Sequence, residues 1–197
     1  MNEELAVATS AEMRALGRRL AAVLRAGDVV ILSGPLGAGK TTLTQGIGLG
    51  LGVRGPVTSP TFVIARVHPP LAGRREEGDA AGDQRSGQAK AGAGTGPALV
   101  HADAYRIGSV LELDDLDLDT DTDSSVTVVE WGEGLAEGLA ADRLEIAIEP
   151  ASAGGGEGPG DDTGSAEDDS PRTVRISGVG TRWLDIRLPP ADLADRL

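Results

Sequence analysis

The chain of 197 residues contains no cysteine, which excludes disulfides and thiolate metal sites. Aromatic residues are nearly absent. One Phe, one Tyr and two Trp make Phe62, Tyr105, Trp131 and Trp183 conspicuous, and the core must rest on Leu, Val, Ile and Ala. No run reaches the ~18 consecutive apolar residues of a membrane span. The segment Met1-Asn2-Glu3-Glu4-Leu5 is acidic and lacks a signal-peptide pattern, so a cytoplasmic protein with no membrane contact is expected. Basic charge is also scarce: 18 Lys and Arg against 31 Asp and Glu give a net charge of −13. Wrapping a nucleic acid by bulk electrostatics needs clustered Lys and Arg. Any role in a nucleic-acid pathway should therefore run through a partner that holds the polymer. The length suits one α/β domain spanning 1–197 rather than two independent ones.

Lysine is the rarest charged residue, with two lysines against sixteen arginines. One of the two, Lys40, falls in Gly34-Pro35-Leu36-Gly37-Ala38-Gly39-Lys40-Thr41, which matches G-x-x-x-x-G-K-[ST]. An apolar β-branched run, Val29–Leu32, precedes it, and a plausible helix start, Thr41–Gln45, follows. Glycines let such a loop turn its N–H groups inward on phosphate oxygens, and the helix N-terminus aims its positive dipole end at the same anion. The candidate ligands of a nucleoside triphosphate are Gly34, Gly37, Ala38, Gly39, Lys40, Thr41 and Thr42. Lys40 should reach the β- and γ-phosphates and the Thr41 hydroxyl should ligate Mg²⁺. A compact ammonium suits this position, and the planar fork of arginine does not replace it well.

Thr9 with Glu12 fits a capping box opening a helix to about Leu24, with Met13, Leu16, Leu20, Val23 and Leu24 at helical spacing. The glycines at 46, 48, 50 and 52 predict that the helix after the loop ends by about Gly50. Further strands are expected at Phe62–Val67, Leu99–Arg106 and Val126–Glu130, with a short helix at Val110–Leu116. Arg143–Glu149 and Arg172–Ser177 alternate as a hairpin pair, and Trp183–Leu188 reads as a weak strand or turn. Residues 69–97 and 151–171 are Gly-rich, charged and aperiodic, and read as disordered insertions.

Hydrolysis of a triphosphate also needs carboxylates that orient metal and water. Val126-Thr127-Val128-Val129-Glu130 is a strand ending in an acid, so Glu130 is the first candidate for a second Mg²⁺ contact; the alternative is a strand-end carboxylate facing solvent. Asp103 is the second candidate. Thr58-Ser59-Pro60-Thr61-Phe62 lies where γ-phosphate-sensing segments sit in related folds, and it also reads as a Ser-Pro turn.

Taken in order, Gly34–Thr41, Thr58–Phe62, His101-x-Asp103-x-Tyr105-Arg106 and Glu130-Trp131 resemble the TsaE (YjeE) family of small bacterial ATPases. That family is required for N6-threonylcarbamoyladenosine (t6A) modification of tRNA. The resemblance covers roughly residues 5–67 and 98–150. It implies a P-loop NTPase-like three-layer α/β fold with a mixed central sheet, ATP and Mg²⁺ as cofactors, and TsaD and TsaB homologues as partners, tRNA being met only through them. It also implies metal contacts from Thr41 and Glu130, switch and catalytic roles for Thr61 and Asp103, Trp131 near the nucleotide or partner, and Thr9 and Ser10 near adenine. Pro35 departs from the acidic residue common at that loop position.

Two rivals remain from the sequence: a small nucleoside or nucleotide kinase, and a nucleotide-gated interaction module. The only lid-sized excursion, 69–97, carries Arg74, Arg75 and Arg85 but no apolar anchors. A calcium loop over Asp119-x-Asp121-x-Asp123 fails on Ser124, where that loop needs glycine, and on the strand-like run that follows Val126.

Overall fold

The computed structural model describes residues 1–60, 63–71, 96–107, 124–151 and 170–191. Its seven strands are β1 (Asn2–Val7), β2 (Val29–Ser33), β3 (Ala65–His68), β4 (Ala98–Asp103), β5 (Ser125–Glu130), β6 (Arg143–Pro150) and β7 (Arg172–Val179). They form one sheet in the order β1-β7-β6-β2-β5-β4-β3. The four central strands, β6, β2, β5 and β4, run parallel, while β7, β1 and β3 attach antiparallel at the flanks.

Strand sequence follows position. Central strands buried on both faces read as near-continuous apolar runs, as in Val29–Leu32 and Val126–Val129, the latter broken only by the buried Thr127. In β6 and β7 only alternate residues are buried, Leu144, Ile146, Ile148, Val174 and Ile176, because one face there meets solvent.

Two α-helices, α1 (Ser10–Ala21) and α2 (Lys40–Leu51), cover one face among the described residues. Leu16, Leu20, Leu43 and Ile47 join Val30, Leu32, Val128 and Leu144 in the main core. Each fully buried Leu or Ile contributes about 1.5–3 kcal/mol. The opposite face carries a smaller cluster, where Val29, Ile31, Val100, Ala102 and Val129 pack under Ala136, with Leu135 and Leu139 against them. Among the described residues that layer is built from loops and short 3-10 turns.

The helices touch almost backbone to backbone. A Cβ on Gly17 would fall 2.4 Å from the Leu43 carbonyl oxygen, and one on Gly46 would fall 2.2 Å from that of Arg14. The interior glycines thus trade helix propensity for close approach. The helix runs to Leu51, one residue past the expected end, and Gly52 closes it in the left-handed conformation at φ 68°.

Two expected strands need correction, the segment near Trp183 takes the turn its reading allowed, and β1 was not foreseen. The strand expected at Phe62–Val67 is Ala65–His68, because the N–H groups of Val63 and Ile64 both turn back onto the Pro60 carbonyl. The strand expected through Arg106 ends at Asp103, whose carboxylate accepts from the Tyr105 N–H and starts a 3-10 turn. Thr181–Trp183 is likewise a 3-10 turn, with Trp183 buried in the main core. The hairpin of β6 and β7 forms as expected, and Ala151 N–H to the Pro171 carbonyl closes its open end at 2.9 Å.

Most of the two expected insertions lies outside the described residues, as do the predicted helix at 110–116 and the acidic turn at 119–123. Residues 69–71, assigned to the first insertion, are instead pinned to the end of α2. Arg54 N–H donates to the Pro69 carbonyl and Leu71 N–H to that of Gly52, both at 2.8 Å.

Candidate functional site

The site forms at the C-terminal ends of β2, β5 and β4, where parallel strands open a crevice in α/β sheets. Register explains the meeting of residues so distant in sequence: Leu32 pairs with Glu130, and Glu130 pairs with Asp103. The loop from Gly34 leaves β2 there and enters α2. Gly34, Gly37 and Gly39 hold φ of 134°, 77° and 106°, which suit glycine alone. Gly34 also has no room for a side chain, since its Cβ would fall 2.2 Å from the Ile148 carbonyl oxygen. Gly39 precedes α2 without any side-chain cap, and no acid stands in the helix's first turn. The leading amides and the positive dipole end therefore face the crevice without a side-chain cap.

Lys40 is buried, with its ammonium donating to the carbonyls of Gly34 at 2.8 Å and Pro35 at 2.9 Å. The same nitrogen lies 3.5 Å from the centre of the Trp131 ring. Burial lowers its pKa from the usual lysine value, against the upward pull of Glu130 and Asp103. Trp131 has φ 60°, rare for a bulky residue, and its ring packs 5.1 Å from that of Tyr105.

Glu130, the last residue of β5, is buried and divides its two oxygens. Oε2 accepts from the Thr41 hydroxyl at 3.0 Å, and Oε1 meets His101 Nε2 at 2.7 Å. Leu36, Gly37, Ala38, Gly39, Lys40, Thr41, Thr42, Ser59, Asp103, Glu130 and Trp131 line one cavity of about 210 Å³. Glycines 37 and 39 and Thr42 also border a second cavity of about 270 Å³, lined by Ser10, Met13, Arg14, Gln45 and Arg172. The two cavities flank the loop, one toward Asp103 and Glu130 and the other toward α1.

Most candidate residues thus come together. Ser10 lines the second cavity, whereas the Thr9 hydroxyl accepts from Glu12 N–H at 3.1 Å as the cap of α1. Gly34 supports the loop and accepts from Lys40. Thr61 lies outside the described residues. Sequence reading marked the Thr58–Phe62 segment that brings Ser59 to the cavity, but missed Leu36, Met13, Arg14, Gln45 and Arg172 as lining residues. Helical spacing could have found part of this set, since Ser10 shares a face with Met13 and Arg14, and Thr42 with Gln45. Arg172 comes from β7, and only the fold brings it to the Gly37 carbonyl, at 3.5 Å.

Magnesium is commonly held by one or two protein oxygens together with phosphate oxygens. The Thr41–Glu130 pair is such a donor set. Among the described residues no group of three or more His, Asp or Glu is arranged to bind a metal unaided. The cavity, the uncapped helix and the adjacent ammonium fit a phosphate chain beside that pair.

Sheet topology, loop and helix define a P-loop-type α/β protein. The family model described as threonylcarbamoyl adenosine biosynthesis protein TsaE matches residues 7–76 and 88–155. The tRNA threonylcarbamoyladenosine biosynthesis protein TsaE of Streptomyces coelicolor is 52% identical over 172 residues, covering 87% of this chain and 93% of that protein. Its namesake from Bacillus subtilis is 34% identical over 172 residues, 87% of this chain and 83% of its own. The crystal structure of Bacillus subtilis YdiB matches with a TM-score of 0.59 and 28% identity, over 93% of this chain and 89% of that one. The chain belongs to the TsaE family. No helix among the described residues is long and apolar enough to cross a membrane.

Proposed function

We propose that this protein binds Mg·ATP on the 34–41 loop and hydrolyses it in support of t6A formation on tRNA, together with TsaD and TsaB homologues. The observation that carries the reading is the Thr41–Glu130 contact of 3.0 Å beside the Lys40 ammonium, at the mouth of an uncapped helix. Bound magnesium would neutralise charge on the phosphate oxygens as a Lewis acid.

The chain's own groups divide the remaining work. Loop amides and Lys40 hold the phosphates. Thr41 Oγ1 and Glu130 Oε2 present oxygens to the cation. Asp103 stands on the same cavity wall, with one oxygen fixed by the Tyr105 N–H, as the group that orients an attacking water. Ser10, Gln45 and Arg172 offer polar groups to the base and sugar in the second cavity. With a net charge of −13, the tRNA is left to the partners.

Reconstitution tests this. Purified protein with TsaD and TsaB homologues, tRNA, ATP and the threonylcarbamoyl donor should form t6A over repeated turnovers, and omission of this chain should stop it. Equal t6A formation without the chain would sink the reading. Phosphoryl transfer to a small acceptor, with no effect on tRNA, would replace it with a kinase.

A further inference from the structure

We propose that His101 is a positioning residue that sets the orientation of Glu130 and so tunes the cation site; the inference rests on the Mg·ATP reading above. His101 lies in the interior of β4 and is fully buried. Its strand neighbours Leu99, Val100 and Ala102 are apolar and buried, so an aliphatic side chain would suit the position. An imidazole there loses its water and needs a partner. Among the described residues it makes one hydrogen bond, with Glu130 Oε1 at 2.7 Å.

A carboxylate oxygen accepts in this contact, so the imidazole donates to it from Nε2. Nδ1 has no hydrogen-bond partner among the described residues. The ring's polarity therefore has a single use, which is to hold one carboxylate oxygen.

The consequence lies on the other oxygen. With Oε1 tied to His101, Oε2 is directed at Thr41, 3.0 Å away, where the two oxygens form the donor pair. Untied, the carboxylate could turn about its side-chain bonds, and the pair would form only part of the time. Such outer hydrogen bonds orient metal ligands. The same ring stands beside His68, whose pKa is lowered by burial and also by His101. His68 is itself buried, and its Nε2 has no hydrogen-bond partner among the described residues.

The test uses the full chain with His101→Leu, His101→Asn and His101→Gln. Gln carries an amide donor about as far out as Nε2, whereas that of Asn ends short of Glu130. ATP affinity is read from Trp131 fluorescence as Mg²⁺ is titrated, and again in EDTA. Leu and Asn should raise the half-saturating Mg²⁺ concentration by about tenfold or more while leaving affinity in EDTA unchanged. Gln should stay close to the wild type. If Leu does not fold, the Gln and Asn pair decides.

Nitrogen chemical shifts of the imidazole, measured without metal or nucleotide, should show the proton on Nε2. A proton on Nδ1 with Nε2 left bare would overturn the proposal. So would equal Mg²⁺ dependence in wild type and variants, or Gln shifting as far as Asn. In those cases Mg·ATP binding by the wild type leaves the nucleotide reading standing. Absence of any Mg·ATP binding by the wild type removes both.

Discussion

The two α-helices are each twelve residues long and lie side by side, yet their N-termini are finished in opposite ways. The Thr9 hydroxyl accepts from the Glu12 N–H, and the Glu12 carboxylate reaches back to the Ala8 N–H at 2.7 Å. An acid in the first turn also complements the dipole. That end is satisfied by its own side chains. The start of α2 has a left-handed Gly39, no side-chain cap and no first-turn acid. A helix end left without a cap beside one that is fully capped invites a complement from outside, and the complement of amides and a positive dipole is an anion. On the proposed reading, the contrast separates a terminus built for stability from one built for binding.

Substitutions can break the contrast, and their effects should fall in order. Lys40→Ala removes the ammonium at the uncapped end and should weaken Mg·ATP binding by at least about a hundredfold, as the loss of a buried charge-assisted contact allows. Calorimetry checks this, and binding at wild-type strength would contradict the site. Thr42→Glu gives α2 the first-turn acid that α1 already has. It should stabilise the fold by ~0.3–1 kcal/mol through the dipole. The same charge faces the phosphates and should weaken ATP more than about tenfold. Opposite signs in thermal melting and nucleotide titration are the result to look for.

Thr9→Ala does the reverse at the other helix. It should cost about 1 kcal/mol, a melting decrease of roughly 2–4 °C for a chain this size, with ATP affinity unchanged. Loss of ATP affinity in that variant would instead bring Thr9 into the nucleotide site. The smallest effect belongs to His68. Burial, with His101 and Arg66 nearby, lowers its pKa from the ordinary 6.5, so the unfolded chain binds this proton more readily. Stability should be full above pH 6.5 and decline as the pH falls below it, and His68→Asn should flatten that acid limb in urea titrations followed against pH.

The same contrast shows what the sequence disclosed. Both helix starts were legible because caps and phosphate loops are local patterns, complete within a few residues. The central strands were legible as β-branched runs, and β6 with β7 as an alternation. β1 escaped because Glu3 and Glu4 interrupt its apolar positions; as an edge strand with every second residue exposed, it needs only Leu5 and Val7 turned inward. At the site, Lys40, Thr41, Glu130 and Asp103 could be named from strand ends and the loop. The segment bearing Ser59 could be flagged as well, but Arg172 could not be, since it reaches its cavity only through folding. His101 belonged to a recognisable motif, but its bond to Glu130 depends on the β4–β5 register, which no local pattern states.

The near-contact of the Gly17 and Gly46 backbones has a consequence for how the nucleotide cleft could change width. Side chains can cushion sliding between helices, but where carbonyls sit against bare Cα atoms there is nothing to compress. The helix bearing Lys40 and Thr41 must then travel with the helix bearing Ser10, as one stiff jaw. Any change in cleft width would then fall to the opposite wall, at Ser59 and at Trp131, whose φ of 60° already holds backbone strain.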